Sequence, residues 1–543
     1  MIAKNRKLTA AMVAAGVLSA SMLVGQVHAQ VAPAVSNTGT GSAVVVPYYT
    51  INEGWFTLLN VTNTSGNSLA VKVRLHEGRN SRDVLDFNLA LSPYDVWTAV
   101  IERGPDGRPF LRTNDTSCTI PISVRDSGAS ASELAYSRAP GFADFRDHTG
   151  TDNDISRMSE GYVEILVMGE TVGEGLGGSV TDTVANRTGD TAWYAKHVNG
   201  VPRNCDIVEN DFRRGSTIPA WTGGPVTGAD GSGDPIARGG AYGYGPIDTP
   251  APLKVNASLI NIDRGMAAGV ESLHVSGFGF SEGENGSVGQ NLVTAQQFPW
   301  FLEPTLASSD GLWTITGLDA ISDGIAALSV INEWASNPNT GANSDWVVTF
   351  PTKRFHADNH ATNMQAACSQ WRNLAAGGGT IGGTTTAYSP VVLGGAAFIN
   401  ECPLAPFENR FQAGDDGRSN ITVTYDIFDR EEGTVRIETD GVVISPAPPP
   451  EVTIDTLPYE VNVLKVGRDA ANAPSGLNSP TALAIDTTQL VSNSNVGWME
   501  MSFGTGDAAK EIPVTGFVFK LRDFGDASLN FAQSTEHGYT RSD

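Results

Sequence analysis

Gly279-Phe280-Ser281-Glu282-Gly283 matches the G-x-S-x-G nucleophile elbow, in which a serine on a strained strand-to-helix turn attacks an acyl carbon. His356, His360 and His537 follow in the chain order that a catalytic base requires. The residues after Gly283, Glu284-Asn285-Gly286-Ser287, read instead as a loop, and the alternating strand-helix background of such hydrolases is missing. No residue is therefore assigned a catalytic role. His356 and His360 bracket Asp358 at a spacing that on a helix would aim both imidazoles at one zinc ion. Residues 355–361 carry no apolar stripe and read as a loop, and no third ligand can be named, so the metal question stays open. His76, beside Arg74 and Glu77 on the polar side of a strand, reads as surface.

Carboxylates gather at Asp152 and Asp154, at Asp415 and Asp416, and at Asp426, Asp429, Glu431 and Glu432. Oxygen-rich loops of this kind suit calcium, although none has the ligand spacing of a helix-loop-helix site. No other cofactor is implied. The same groups could serve as a glycosidase acid/base pair, whose defining separation is a spatial quantity. The 10 tryptophans are scattered. Sugar stacking would need some of them exposed, whereas core packing is the ordinary fate of Trp55 and Trp97 within strands.

The elements that must position these groups are strands. From Trp55 to Ile101 the apolar residues Val71, Val73 and Leu75 alternate with Lys72, Arg74 and His76, and Leu85, Phe87, Leu89 and Leu91 alternate with polar or small residues. A period of two gives each strand one apolar face, and turn-forming clusters separate the runs. With Ala43–Tyr49, Cys118–Ile122 and Gly161–Met168, the first part of the chain offers seven short strands, enough for an immunoglobulin-like sandwich. Seven more are expected at 253–262, 271–280, 345–350, 420–428, 459–466, 497–503 and 515–521. Leu318, Ile321, Ile325 and Leu328 have helical spacing, which predicts a helix packed over a sheet. The expected fold is mainly β: two antiparallel β-sandwich domains with long Gly-rich loops and few short helices. Residues 30–250 form the first, with a long loop insertion over 173–252, and residues 251–543 form the second, with a helical insertion. Ser445 to Pro450 is a stiff extended connector, read as a crossover between strands.

Residues 1–29 have the pattern of a signal peptide. Lys4, Arg6 and Lys7 precede the apolar run Leu8–Val24, and Val27-His28-Ala29 is a small-x-small cleavage site. No later stretch is long and apolar enough to span a bilayer as a helix, so no transmembrane span is expected. Removing the leader leaves 32 basic against 59 acidic residues, a net charge of −27. Such a surface repels nucleic acid and anionic lipid. Four cysteines in an exported chain favour disulfides. Spacing allows three pairings, and joining nearest neighbours gives Cys118 with Cys205 and Cys368 with Cys402.

The segments VVVPYYT, LNVTNTSGNSLAVKVRLHEGRNSRDVLDFNLALSPYDVW, SVINEW with DWVVTFPTKRFH, and YDIFDREE with LPYEVNVL resemble a group of exported proteobacterial proteins described as cell-surface or hypothetical. The early Asn-Thr turn also resembles bacterial immunoglobulin-like adhesion modules. That group has no established activity, so the resemblance implies export and β-rich architecture and carries over no functional residue. The expected function is non-enzymatic: a structural, adhesive or assembly role at the cell surface or outside the cell, with the periplasm as the alternative site. Its partner would be a surface or matrix component, or another copy of the chain. The competing expectation is a secreted hydrolase or carbohydrate-binding protein that uses loop carboxylates.

Overall fold

A computed structural model describes residues 34–131, 155–171, 191–214, 226–227, 235–236, 249–278, 322–357, 406–409, 416–430, 453–487, 495–504 and 510–542. Strands dominate them, in several mostly antiparallel sheets. The sequence pattern predicted many of these strands to within a few residues, as at Ala43–Thr50, and by alternation at Ser68–Glu77, Asp83–Leu91 and Glu160–Thr171.

The seven-stranded sheet runs across Ala34–Val35, Leu273–Ser276, Ala43–Thr50, Glu160–Thr171, Ser68–Glu77, Asp83–Leu91 and Cys118–Ile120. The six-stranded sheet runs across Met266–Val270, Leu253–Asn261, Trp55–Asn63, Val96–Arg103, Pro109–Arg112 and Ala129–Ser130. Their apolar residues meet in a first core, which includes Val71, Val73, Leu75, Trp55, Val61 and Trp97. Leu253–Asn261 pairs along its whole length with Trp55–Asn63. Strands on both sides of the expected 250/251 division are thus hydrogen-bonded neighbours.

The later strands form two five-stranded sheets. The inner one carries Leu483–Asp486, Val461–Gly467, Ala342–Thr349, Thr515–Arg522 and Phe531–Glu536. The outer one carries Thr453–Leu457, Ile421–Asp429, Val496–Phe503, Ser329–Ala335 and Gly538–Thr540. The inner sheet buries both faces. Val347, Val463, Phe517 and Phe519 enter the first core, while Trp346, Val348, Leu464 and Val518 enter a second, with Met499 and Met501 of the outer sheet. Burial on both faces explains the continuous apolar runs Trp346-Val347-Val348 and Phe517-Val518-Phe519.

Three expectations need correction. Val461–Gly467 and Leu483–Asp486 pair in parallel, so the sheets are not wholly antiparallel. The helix expected through Leu328 ends early: residues 322–325 are helical, and Ala326–Ala327 is a strand paired with Ile512–Pro513. Ile325 and Ala327 are buried while Ala326 and Leu328 are half-buried, so a period of two overtakes the three- and four-residue spacing at this end. The stretch 173–252, read as loop, includes the helices Thr191–Ala195 and Cys205–Arg214. Cys205 closes the expected bridge to Cys118, with a Cα–Cα distance of 5.3 Å. Ser445–Pro450 lies outside the described residues.

Candidate functional site

Ser281, His360, Cys368, Cys402, Asp152, Asp154, Asp415, Glu431 and Glu432 lie outside the described residues. The remaining candidates are dispersed. His356 is buried, its ring 5.3 Å from that of Phe407. His537 is buried against Trp346, accepting from Asn332 Nδ2 at 3.0 Å and donating from Nε2 to the Val347 carbonyl at 3.0 Å. Burial outweighs that carbonyl and pushes its imidazole down to about 4. With both nitrogens engaged in the interior, it has no free lone pair for base chemistry. Asp416 pairs with Arg79 and lies 3.9 Å from Arg157. Asp429 is buried, whereas Asp426 is exposed, opposite Glu500 on the next strand. Trp55 and Trp97 are core residues. Among the described residues no three His, Cys, Asp or Glu side chains gather as a metal site.

His76 is not at the surface. The outward face of Ser68–Glu77 carries Lys72, Arg74 and His76, all buried, and cross-strand register sets Arg74 between Glu164 and Asp86. His76 Nε2 donates to Glu164 at 3.0 Å, and its ring stacks on Tyr162 with centroids 5.0 Å apart. The short helix Lys353–Ala357 supplies Arg354, whose Nη2 donates to both Glu164 oxygens at 2.8 and 3.0 Å. Burial would raise the Glu164 carboxyl, but Arg354 and then His76 outweigh it and hold it at about 2. Burial, then Arg354, lowers the His76 imidazole against the pull of Glu164. Beside them Glu77 accepts the backbone N–H groups of Arg79, Asn80 and Arg82 at 2.9, 2.9 and 3.1 Å and receives Arg157 at 3.2 Å. Its burial would raise the carboxyl, and these donors bring it below the usual range. His76 and Glu164 have zero exposure, so this acid-base set is closed to a substrate. The signal that could have found it is Glu164 standing inside the apolar run of GYVEILVM, because a buried carboxylate needs cations at its level.

A hydroxyl-imidazole-carboxylate array does reach the surface. His197 Nε2 is 3.3 Å from Thr116 Oγ1, and its Nδ1 is 3.6 Å from Asp95 Oδ2. Thr116, Asp115, Arg125, Arg203 and Asn204 line an adjoining cavity of about 640 Å³ whose wall includes Cys205 of the disulfide. Burial raises the Asp95 carboxyl, opposed by His197 and the Ser92 N–H. The Thr116 hydroxyl donates to the Gly200 carbonyl at 2.9 Å. In this arrangement the array ties the hairpin at 197–202 to the strands beneath it.

The second surface feature lies at the lip of the two five-stranded sheets. A groove of about 470 Å³ is lined by Trp334, Trp498, Glu333, Lys520, Arg522 and Phe531, among others. Register positions Trp498 between Phe428 and Glu333, and alternation along Val496–Phe503 turns it outward while Met499 and Met501 fill the second core. Trp498 is 40% exposed and Phe531 51% exposed. Trp498 stacks on Phe428 with centroids 4.2 Å apart and planes 13° apart, and Lys520 donates to Glu333 at 2.6 Å. Aromatic faces beside charged side chains are the lining chemistry that suits a ligand with both apolar and polar groups. Neither protein-family models, curated proteins nor solved structures give a match to the chain.

Proposed function

We propose that the chain is an exported, non-enzymatic protein with a structural, adhesive or assembly role at the cell surface or outside the cell. The observation that carries this reading is the contrast between its interior and its surface. The His76–Glu164 acid-base pair is sealed at zero exposure, while exposed aromatic rings line an open groove. The leader pattern of residues 1–29 and the resemblance to exported proteobacterial surface proteins support the same reading. A surface or matrix component, or another copy of the chain, would be the partner. Fractionation with accessibility to externally added protease tests it: the mature chain is expected outside the cytoplasmic membrane, and recovery solely from the cytoplasm would refute it.

A hydrolase is the second reading, favoured by the Thr116–His197–Asp95 array beside its cavity. His197 would take the Thr116 proton as general base once that hydroxyl turns away from the Gly200 carbonyl, and Asp95 would orient the imidazole. A panel of esters and glycans decides it. Turnover lost in both Thr116→Ala and His197→Ala would establish this reading, and no turnover by the wild type would remove it.

A further inference from the structure

We infer that the groove between Trp498 and Phe531 binds an anionic polysaccharide, a chain of pyranose rings carrying carboxylates. The inference rests on the reading of this protein as one that recognises surface or matrix material. The first argument is the platform. Stacking on Phe428 holds the Trp498 indole in one orientation, and the residue keeps 40% of its surface exposed. A fixed aromatic face favours the polarised C–H bonds of a flat sugar ring, and a ring already ordered loses little entropy on binding.

The second argument is charge. Lys520 is neutralised by Glu333. Arg430 and Arg522, which also line the groove, have no carboxylate partner among the described residues. The groove therefore presents two guanidinium groups with no carboxylate partner among the described residues, in a chain whose net charge is −24. Guanidinium binds carboxylate through paired, charge-assisted hydrogen bonds. Nucleic acid would require a longer cationic track against that net charge. A volume of about 470 Å³ falls within the range of roughly 300–1,000 Å³ typical of ligand sites.

Affinity electrophoresis of the purified mature protein through gels containing polygalacturonate, dextran sulfate or dextran tests the inference. Polygalacturonate is expected to retard the wild type more than dextran does, in a salt-sensitive manner. Trp498→Ala and Arg522→Gln are each expected to weaken retardation by about tenfold, the scale of one stacking or charge-assisted contact. Tyr94→Ala, which removes an exposed ring elsewhere, should behave as wild type. Melting curves of the variants establish that they are folded. Equal retardation by dextran, stronger retardation by dextran sulfate, or wild-type binding by folded Trp498→Ala would overturn it. Self-association abolished by these substitutions, without polygalacturonate binding, would assign the groove to a second copy. Surface localisation with no polygalacturonate binding would overturn this inference and leave the proposed surface role standing.

Discussion

Glu164 shows what a single buried charge demands of its surroundings. It is fully buried, and Arg354 reaches it from a helix 190 residues further along the chain. Removing one partner of such a pair leaves an uncompensated charge, at a cost of about 3–5 kcal/mol. Arg354→Met is therefore expected to lower stability by that amount in chemical denaturation, and Glu164→Gln in the same background should restore part of it. The pH dependence has a definite sign. The folded Glu164 carboxyl is held at about 2, below its ordinary 4.5, so its contribution is present above pH 4.5 and is lost as pH falls toward 2. That shift corresponds to about 3 kcal/mol. The acid sensitivity should be smaller in Arg354→Met, as measured by denaturation at a series of pH values. His76 illustrates what is hard to read at this scale. Lys72, Arg74 and His76 have the spacing of a solvated face, and nothing local signals the guanidinium that covers it from residue 354, 278 positions away. Alternation specifies which residues share a face, not whether that face is wet.

At the scale of elements, the connection at 470–482 acts as a latch between the sheet systems. Asp345 on the inner sheet accepts from Ser475 Oγ at 2.6 Å and from the Leu477 N–H at 2.8 Å. In the same connection Ser479 donates its N–H to Ser475 at 3.3 Å and its hydroxyl to Glu160 at 2.8 Å, and Tyr48 donates to Glu160 at 2.8 Å. Burial, only partly offset by the Ser475 and Leu477 donors, pushes Asp345 up to about 6. A carboxyl raised on folding stabilises fully below its ordinary value of 3.8, and that contribution is lost as pH rises through 6. The difference amounts to about 3 kcal/mol. Asp345→Asn should thus melt higher than wild type at pH 7, with the gap closing near pH 4 (~the ordinary carboxyl range). Equal melting temperatures at both pH values would defeat this account. The Cys118–Cys205 bridge closes a loop of sequence separation 87, for which chain entropy gives about 4–5 kcal/mol as an upper guide. Reduction, or Cys118→Ala with Cys205→Ala, should lower the melting temperature accordingly. This bridge was legible from cysteine order, because nearest neighbours needed no long-range information. The latch was not, since Ser479 and Glu160 stand 319 positions apart.

For the whole molecule, the decisive feature is the inner sheet, which belongs to both cores. Two runs of seven strands suggested tandem sandwiches, and individual strands such as Thr515–Arg522 lie close to where the apolar pattern put them. Their partners were not legible, because alternation supplies a face but not a neighbour. Thus Leu253–Asn261 joins Trp55–Asn63, and consecutive residues of Thr515–Arg522 serve opposite cores. Phe519 meets Trp55 edge-on at 5.3 Å, and the Trp55 indole N–H donates to the Gly476 carbonyl at 3.2 Å. Arg264 adds bonds to Gly476 at 3.0 Å and to Asp523 at 2.9 Å. Separating the cores would expose Phe517, Phe519, Val347 and Val463 together, which couples the stability of one to the other. The mature protein should therefore unfold in one calorimetric transition. Phe519→Ala removes a buried aromatic side chain at a cost of about 3–5 kcal/mol. That loss should move the entire transition down. If part of the endotherm stays at the wild-type temperature in Phe519→Ala, the cores unfold independently and the shared sheet is a contact between separable domains. If the whole endotherm shifts, the inner sheet is the common element through which both cores hold their strands.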